Sequence, residues 1–312
     1  MKKLIYLLVL MASACELVVE VDQPPFKPSI VLGSFIAPDT TIVVSLSEDR
    51  YVLDQVEEFD PITGATVRLF EEDRLIGTLE ALNVPDHFAE NSGEDGGYYG
   101  LDYRPTPGVE YRLEAEKDGY TSVQATDRLP ENAPRFEVVS IEQHEFSDTE
   151  IEVKIFDEPG RDYYEVLVYL SLNIIEGTYN ENTQEWEIDS IWRRTESVRL
   201  YTENIAVEEH NTSIFSDRLF DGRAYELDLE GGFYVDQNPN INIGDMDIDL
   251  DPVLTIEVRK VSEAYFNFIN TSALQRWVDG DPFAEPVQAF SNVENGRGVL
   301  GTYVSSKIEI EL

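Results

Sequence analysis

Apolar residues at every second position mark much of this chain as strand. In residues 41–47, Ile42, Val44 and Leu46 fall on one side and Thr41, Ser45 and Ser47 on the other, with Val43 alone breaking the polar side. A period of two suits a pleated strand with one buried face and does not fit a helix. Residues 111–116 repeat it, with Tyr111, Leu113 and Ala115 alternating with Arg112, Glu114 and Glu116. Runs at 29–36, 65–70, 74–79, 97–101 and 121–126 are separated by Gly, Pro and Asp turn residues, Pro38 and Asp39 among them. Short strands at this spacing predict a β-sandwich of the immunoglobulin or fibronectin type III kind over residues 28–130. Residues 83–96 are polar, acidic and glycine-containing, and read as a loop.

Pro130 and Pro134 make residues 129–134 a semi-rigid link and the best domain boundary. A second β-rich domain follows over 135–312, with strands expected at 136–143, 150–155, 163–174, 185–193, 197–201, 223–229, 254–261 and 298–312. The run 163–174 is long enough to bend or bulge, and a turn at 177–182 returns it into 185–193, which carries Trp186 and Trp192. One helix is expected near 262–277. The Ser262 hydroxyl can cap it and Glu263 suits its first turn. Tyr265, Phe266, Phe268, Ile269, Ala273, Leu274 and Trp277 occupy more than one stripe, so the helix packs on a sheet and is partly covered on a second side. The predicted fold is mainly β: an Ig-like sandwich, then a β-rich domain with one packed helix.

The single cysteine, Cys15, closes an N-terminal segment of export type. Lys2 and Lys3 precede an apolar run from Leu4 to Met11, and Ala12, Ser13 and Ala14 lead into the cysteine. The run is too short to span a bilayer, which takes about 20 residues, and reads as a cleaved signal. Residues 1–14 resemble a bacterial lipoprotein signal, with Ala12 where such signals usually carry Leu. That resemblance implies acylation of Cys15, a tether at 15–27 and a membrane-anchored protein. An ordinary secretory signal is the other reading. With the one cysteine used by the anchor, no internal disulfide or Cys zinc site remains.

The 62 acidic residues against 23 basic give a net charge of −39. That argues against nucleic acid as a partner, which needs a basic footprint. His87, His144 and His210 share no motif, no local signature for an activated serine is present, and carboxylates are too abundant for any pair to point to a glycosidase. The chain is therefore not expected to be an enzyme or to need a cofactor. The most distinctive polar stretch is 236–251, which holds Asp245, Asp247, Asp249 and Asp251. Their spacing fits the first, third, fifth and seventh places of an EF-hand loop. Leu250 stands where the loop needs Gly, and Ile256 where it needs a bidentate Glu. A looser calcium site at those four aspartates is one reading. A strand with an acidic face, since Ile248 and Leu250 alternate with them, is the favoured one.

Several segments, taken in order, carry a family resemblance: Cys15 to Asp22, Pro28 to Leu32, Pro38 to Thr41, Thr63 to Val67, Val261 to Tyr265, Asp281 to Val287 and, most specific, Ser291 to Gly301. Together they resemble a Bacteroidota lipoprotein family catalogued as a domain of unknown function and often encoded beside TonB-dependent transporters. The resemblance spans nearly the whole chain after Cys15. It implies an outer-membrane, lipid-anchored location, on the cell-surface face rather than the periplasmic one. It also implies a non-catalytic accessory role beside a TonB-dependent outer-membrane transporter, in nutrient capture or uptake. A structural or adhesive surface lipoprotein is the alternative. In the last motif, Gly296, Gly298 and Gly301 read as a tight turn or close backbone approach rather than a ligand loop.

Overall fold

The computed structural model describes residues 26–50, 60–82, 96–143, 149–180, 185–204, 206–207, 213–233, 240–243, 246–249, 251–278, 284–285 and 287–312. The N-terminal strands are β1 (Ile30–Ile36), β2 (Ile42–Glu48), β3 (Thr66–Glu71), β4 (Arg74–Thr78), β5 (Glu80–Ala81), β6 (Tyr98–Leu101), β7 (Glu110–Glu116) and β8 (Val123–Arg128). Beyond the link come β9 (Arg135–Gln143), β10 (Thr149–Phe156), β11 (Tyr163–Asn180), β12 (Glu185–Ser197), β13 (Leu200–Tyr201), β14 (Ile214–Ser216), β15 (Ala224–Gly231), β16 (Asn240–Ile243), β17 (Met246–Asp249) and β18 (Val253–Val261). The helix α1 (Glu263–Val278), β19 (Val293–Glu294) and β20 (Arg297–Glu311) complete the chain.

The fold is mainly β and sandwich-like, with one α-helix among the described residues. Its spine is a nine-stranded sheet with the order β12-β11-β18-β20-β1-β2-β6-β5, and β14 also pairs with β11. Two smaller sheets back it. The order β19-β8-β7-β3-β4 closes the first sandwich, and β13-β15-β10-β9 closes the second. The alternation in the sequence explains both cores. Ile30, Leu32, Ile42, Val44 and Leu46 meet Val67, Leu69, Tyr111, Leu113 and Val123 in the first. Val166, Val168, Leu254, Ile256 and Val258 meet Ile151, Val153, Leu227 and Leu229 in the second. Each such side chain, removed from water, contributes about 1.5–3 kcal/mol.

β20 belongs to both sandwiches. It pairs parallel with β1, Val31 opposite Arg297, and antiparallel with β18, Val253 opposite Glu311. Leu300 and Val304 sit in the first core, and Ile310 packs on the second. β19 likewise adds to β8, Val293 opposite Ala125. Residues 28–130 therefore hold most of the first sandwich, while 293–304 supply a strand to each of its sheets. The reason is that β1 and β8 each present a ladder of backbone groups that must be paired.

The glycine motif makes that return fit. Gly298 has φ +109°, and a Cβ there would lie 2.0 Å from the Leu32 carbonyl oxygen. A Cβ at Gly296 would lie 2.4 Å from the Ile30 carbonyl oxygen. Asn292 ties the same turn, its Nδ2 donating to the Leu300 carbonyl at 2.8 Å while its Oδ1 accepts from Leu300 N at 3.0 Å. The motif is a structural close approach.

The helix lies on the opposite face of the long sheet. Tyr265 N donates to Ser262 Oγ at 3.1 Å, the cap read from the sequence. Tyr265 stands 4.7 Å from Phe35, and Phe266 stacks on Tyr163 at 4.5 Å. The neighbouring chain covers a second side, where Phe290 N donates to Thr271 Oγ1 at 2.8 Å. Two expectations shift, and a third goes untested. β11 runs through Gly177 to Asn180, with a bulge at Glu176/Gly177 in place of a turn starting there. The strand expected at 197–201 shrinks to Leu200–Tyr201. The loop at 83–96 lies outside the described residues up to 95.

Candidate protein-interaction face

Cys15 with its signal, the tether up to residue 25, the three histidines and Asp245 lie outside the described residues. Asp247 and Asp249 fall on β17, where the register sets them opposite Asn242 and Asn240 of β16. Asp251 follows at φ +46° and takes a salt bridge from Arg193 at 2.7 Å.

The four-stranded sheet builds a feature that the sequence pattern held only in part. Its inner face carries Ile151, Val153 and Ile155 of β10 with Leu227 and Leu229 of β15. The residues between them must face outward, and they are mostly acidic. Register aligns them in rows across three strands. Glu142, Glu150 and Glu230 form one row, and Ser140, Glu152 and Asp228 the next. Glu137, Lys154 and Glu226 lie level in a third, where Lys154 Nζ reaches Glu226 at 2.7 Å. Like charges directly opposite each other on a sheet are destabilising, so the carboxylates set level with one another work against folding. Residues 202–204 border the face. Thr202 Oγ1 donates to the Asp228 carbonyl at 2.6 Å, and Tyr225 Oη donates to Asn204 Oδ1 at 2.5 Å. Between this border and the sheet lies a groove of about 500 Å³, lined by Glu142, Glu150, Glu152, Glu203, Asp228 and Glu230 among others. The signal in the sequence was Glu150, Glu152, Glu226, Asp228 and Glu230 alternating within two strands. Bringing them level needed the register.

Other charged groups are engaged inside the fold. Arg259 bridges Glu165 at 3.1 Å and Glu257 at 2.9 Å on the helix side of the long sheet, and Tyr265 Oη donates to Glu165 at 2.7 Å. Burial pushes the Glu165 carboxyl up, against the pull of Arg259. Asp157, Asp162 and Asp217 bring carboxylate oxygens within 4.8 Å of one another. Tyr164 Oη and Gly222 N donate to Asp157, Asp162 N donates to Asp217, and Lys260 bridges Asp162 at 2.5 Å. Those partners give the trio a structural role at the start of β11. At the junction of β8, β20 and α1, Asp127 has one oxygen, Oδ2, buried without a hydrogen-bond partner. Burial lifts its carboxyl to about 6, against the pull of the neighbouring Ser262 and Thr302 hydroxyls.

The chain belongs to a family described as a domain of unknown function (DUF4249), whose model matches residues 16–309. No curated protein matches it. Among solved structures it is similar to a beta-glucuronidase from glycoside hydrolase family 2, at 10% identity. That match covers 88% of this chain and 22% of the other, with a TM-score of 0.19, too low to bear on function. The chain thus spans about a fifth of that enzyme's length.

Proposed function

We propose that this chain is a non-catalytic accessory lipoprotein, anchored to the outer membrane through Cys15 on its cell-surface face. In this reading it docks on a TonB-dependent transporter and assists nutrient capture or uptake. The outer face of the four-stranded sheet carries the reading. A face that keeps carboxylates opposite carboxylates at a cost to stability fits a surface kept for a cationic partner. Complementary charge there would speed encounter and make association salt-sensitive. The internally bonded carboxylate clusters at Arg259 and Asp157 fit structural roles and favour docking over chemistry.

The test is affinity purification of the tagged protein from detergent-solubilised outer membrane. Glu152→Lys with Asp228→Lys reverses the charge of one row while keeping like opposite like, so the fold should bear it. Wild type should enrich one TonB-dependent transporter, and both the double variant and about 0.5 M salt should lose it. Cys15→Ala should leave the membrane fraction altogether. Recovery of no transporter, under conditions where other transporter–lipoprotein pairs survive, would move the assignment to a structural or adhesive surface protein.

A further inference from the structure

Every sheet here ends in edge strands, and one of them differs from the rest. β5, β13 and β19 are two residues long, β16 and β17 four, β4 five and β9 nine, whereas β12 runs for 13. Long open edges invite pairing with another chain, and proteins usually blunt them with charged side chains, Pro, bulges or short length. β12 has no Pro, and its charges are of both signs, Asp189 and Glu196 beside Arg193 and Arg194, so a copy of itself can complement them. Among the described residues it pairs only with β11. It also exposes two large apolar side chains, Ile191 at 52% and Trp192 at 43%. The pairing of β11 with β18 stops at Ser171, while its pairing with β12 goes on to Asn180. Among the described residues the outer part is therefore a two-stranded ribbon, which is marginal on its own.

We propose that β12 pairs antiparallel with β12 of a second copy of this chain, about a two-fold axis at Ile191, joining two nine-stranded sheets into one. This goes beyond the transporter reading and does not depend on it. The register follows from the charges. An axis at Arg193 or Arg194 sets each arginine against itself. An axis at Trp192 sets Arg193 against Ile191. With the axis at Ile191, Ile191 meets its own copy, and Trp192 lies opposite Ser190, diagonal to the second Trp192. The bulge completes the fit. Asp189 accepts from Thr178 at 2.9 Å, and Ser190 donates to Glu176 at 2.9 Å. Thr178 and Glu176 are two apart on β11, so Asp189 and Ser190 share one face. Arg194, level with Leu172, is on that face too. Across the axis, Arg194 of each copy therefore falls beside Asp189 of the other, twice by symmetry. Arg194 also pairs with Glu196 in its own strand, and the five donors of a guanidinium allow it to hold both.

The test uses the full chain after the signal, with Cys15→Ser to remove the anchor and the only thiol. Sedimentation should show a concentration-dependent dimer. Arg194→Asp and Asp189→Arg should each weaken it by at least about tenfold, because each sets like charges opposite. A one-to-one mixture of the two variants should dimerise again, since the carboxylate introduced at position 194 of one then meets the guanidinium introduced at position 189 of the other. Ile191→Cys should form a disulfide-linked dimer under mild oxidation, while Thr195→Cys should not. A wild-type chain that stays monomeric at about 100 μM, far above the micromolar range of weak specific pairs, would overturn the proposal. So would failure of the mixture to recover, or equal cross-linking at both cysteine positions.

Discussion

Replacing Asp127 by an asparagine should make the fold insensitive to one proton, and the size of the change can be worked out. The carboxyl sits between β8, β20 and the capping Ser262, with Oδ2 unpartnered, and titrates at about 6 instead of the usual 3.8. Because the folded value is raised, the folded chain holds this proton more tightly than the unfolded chain. The associated stability is fully present below about 4 and is lost as pH rises through about 6. Each tenfold shift is worth about 1.4 kcal/mol, so the loss is about 3 kcal/mol once both states are ionised. A carboxamide at this position mimics the protonated acid at every pH. The unfolding free energy of the Asp127→Asn variant, minus that of wild type, should therefore climb by about 2.5 kcal/mol between pH 4 and 8. Urea denaturation at steps across that range, on a chain beginning at Phe26, measures it. Other titrating groups cancel in the difference. A flat difference would mean that Asp127 is solvated or partnered in solution, and the reasoning from its buried oxygen would fail.

Gly298→Ala should lower stability by about 2–4 kcal/mol, since φ +109° and a Cβ placed against the Leu32 carbonyl oxygen oblige β1 and β20 to move apart. An unchanged thermal midpoint would show that the approach is looser. Arg259→Met should cost about 3–5 kcal/mol by leaving Glu165 and Glu257 buried without their shared cation. A loss under about 1 kcal/mol in chemical denaturation would place those carboxylates in water.

What was legible in the sequence was local. Tyr111, Leu113 and Ala115 alternate, and all three are fully buried. Ser262 caps the helix because a hydroxyl one place before the first turn meets a free N–H wherever the helix goes. The glycines of the last motif announced a close approach without saying to what. What was not legible depended on pairing between distant segments. Nothing near Arg297 indicates that its strand will lie parallel to β1, because backbone ladders accept any strand of suitable length. β14 is three residues long, too short to show a period. The acidic face was half visible. Alternating glutamates in two strands are common on solvated sheets, and only the register that sets Glu150 level with Glu142 and Glu230 turns them into rows.

The parallel pairing of β1 with β20 also sets a timetable. Val31 cannot find Arg297 until nearly all of the chain exists, and contacts so distant in sequence slow folding. The early strands can collapse among themselves, but the core around Leu32 stays open at one edge until Leu300 and Val304 arrive. The same delay makes the C-terminal strand the closing step of assembly. A chain cut short after residue 130 would keep the pairing of β1 with β2 but leave the other edge of β1 open, a ready template for aggregation.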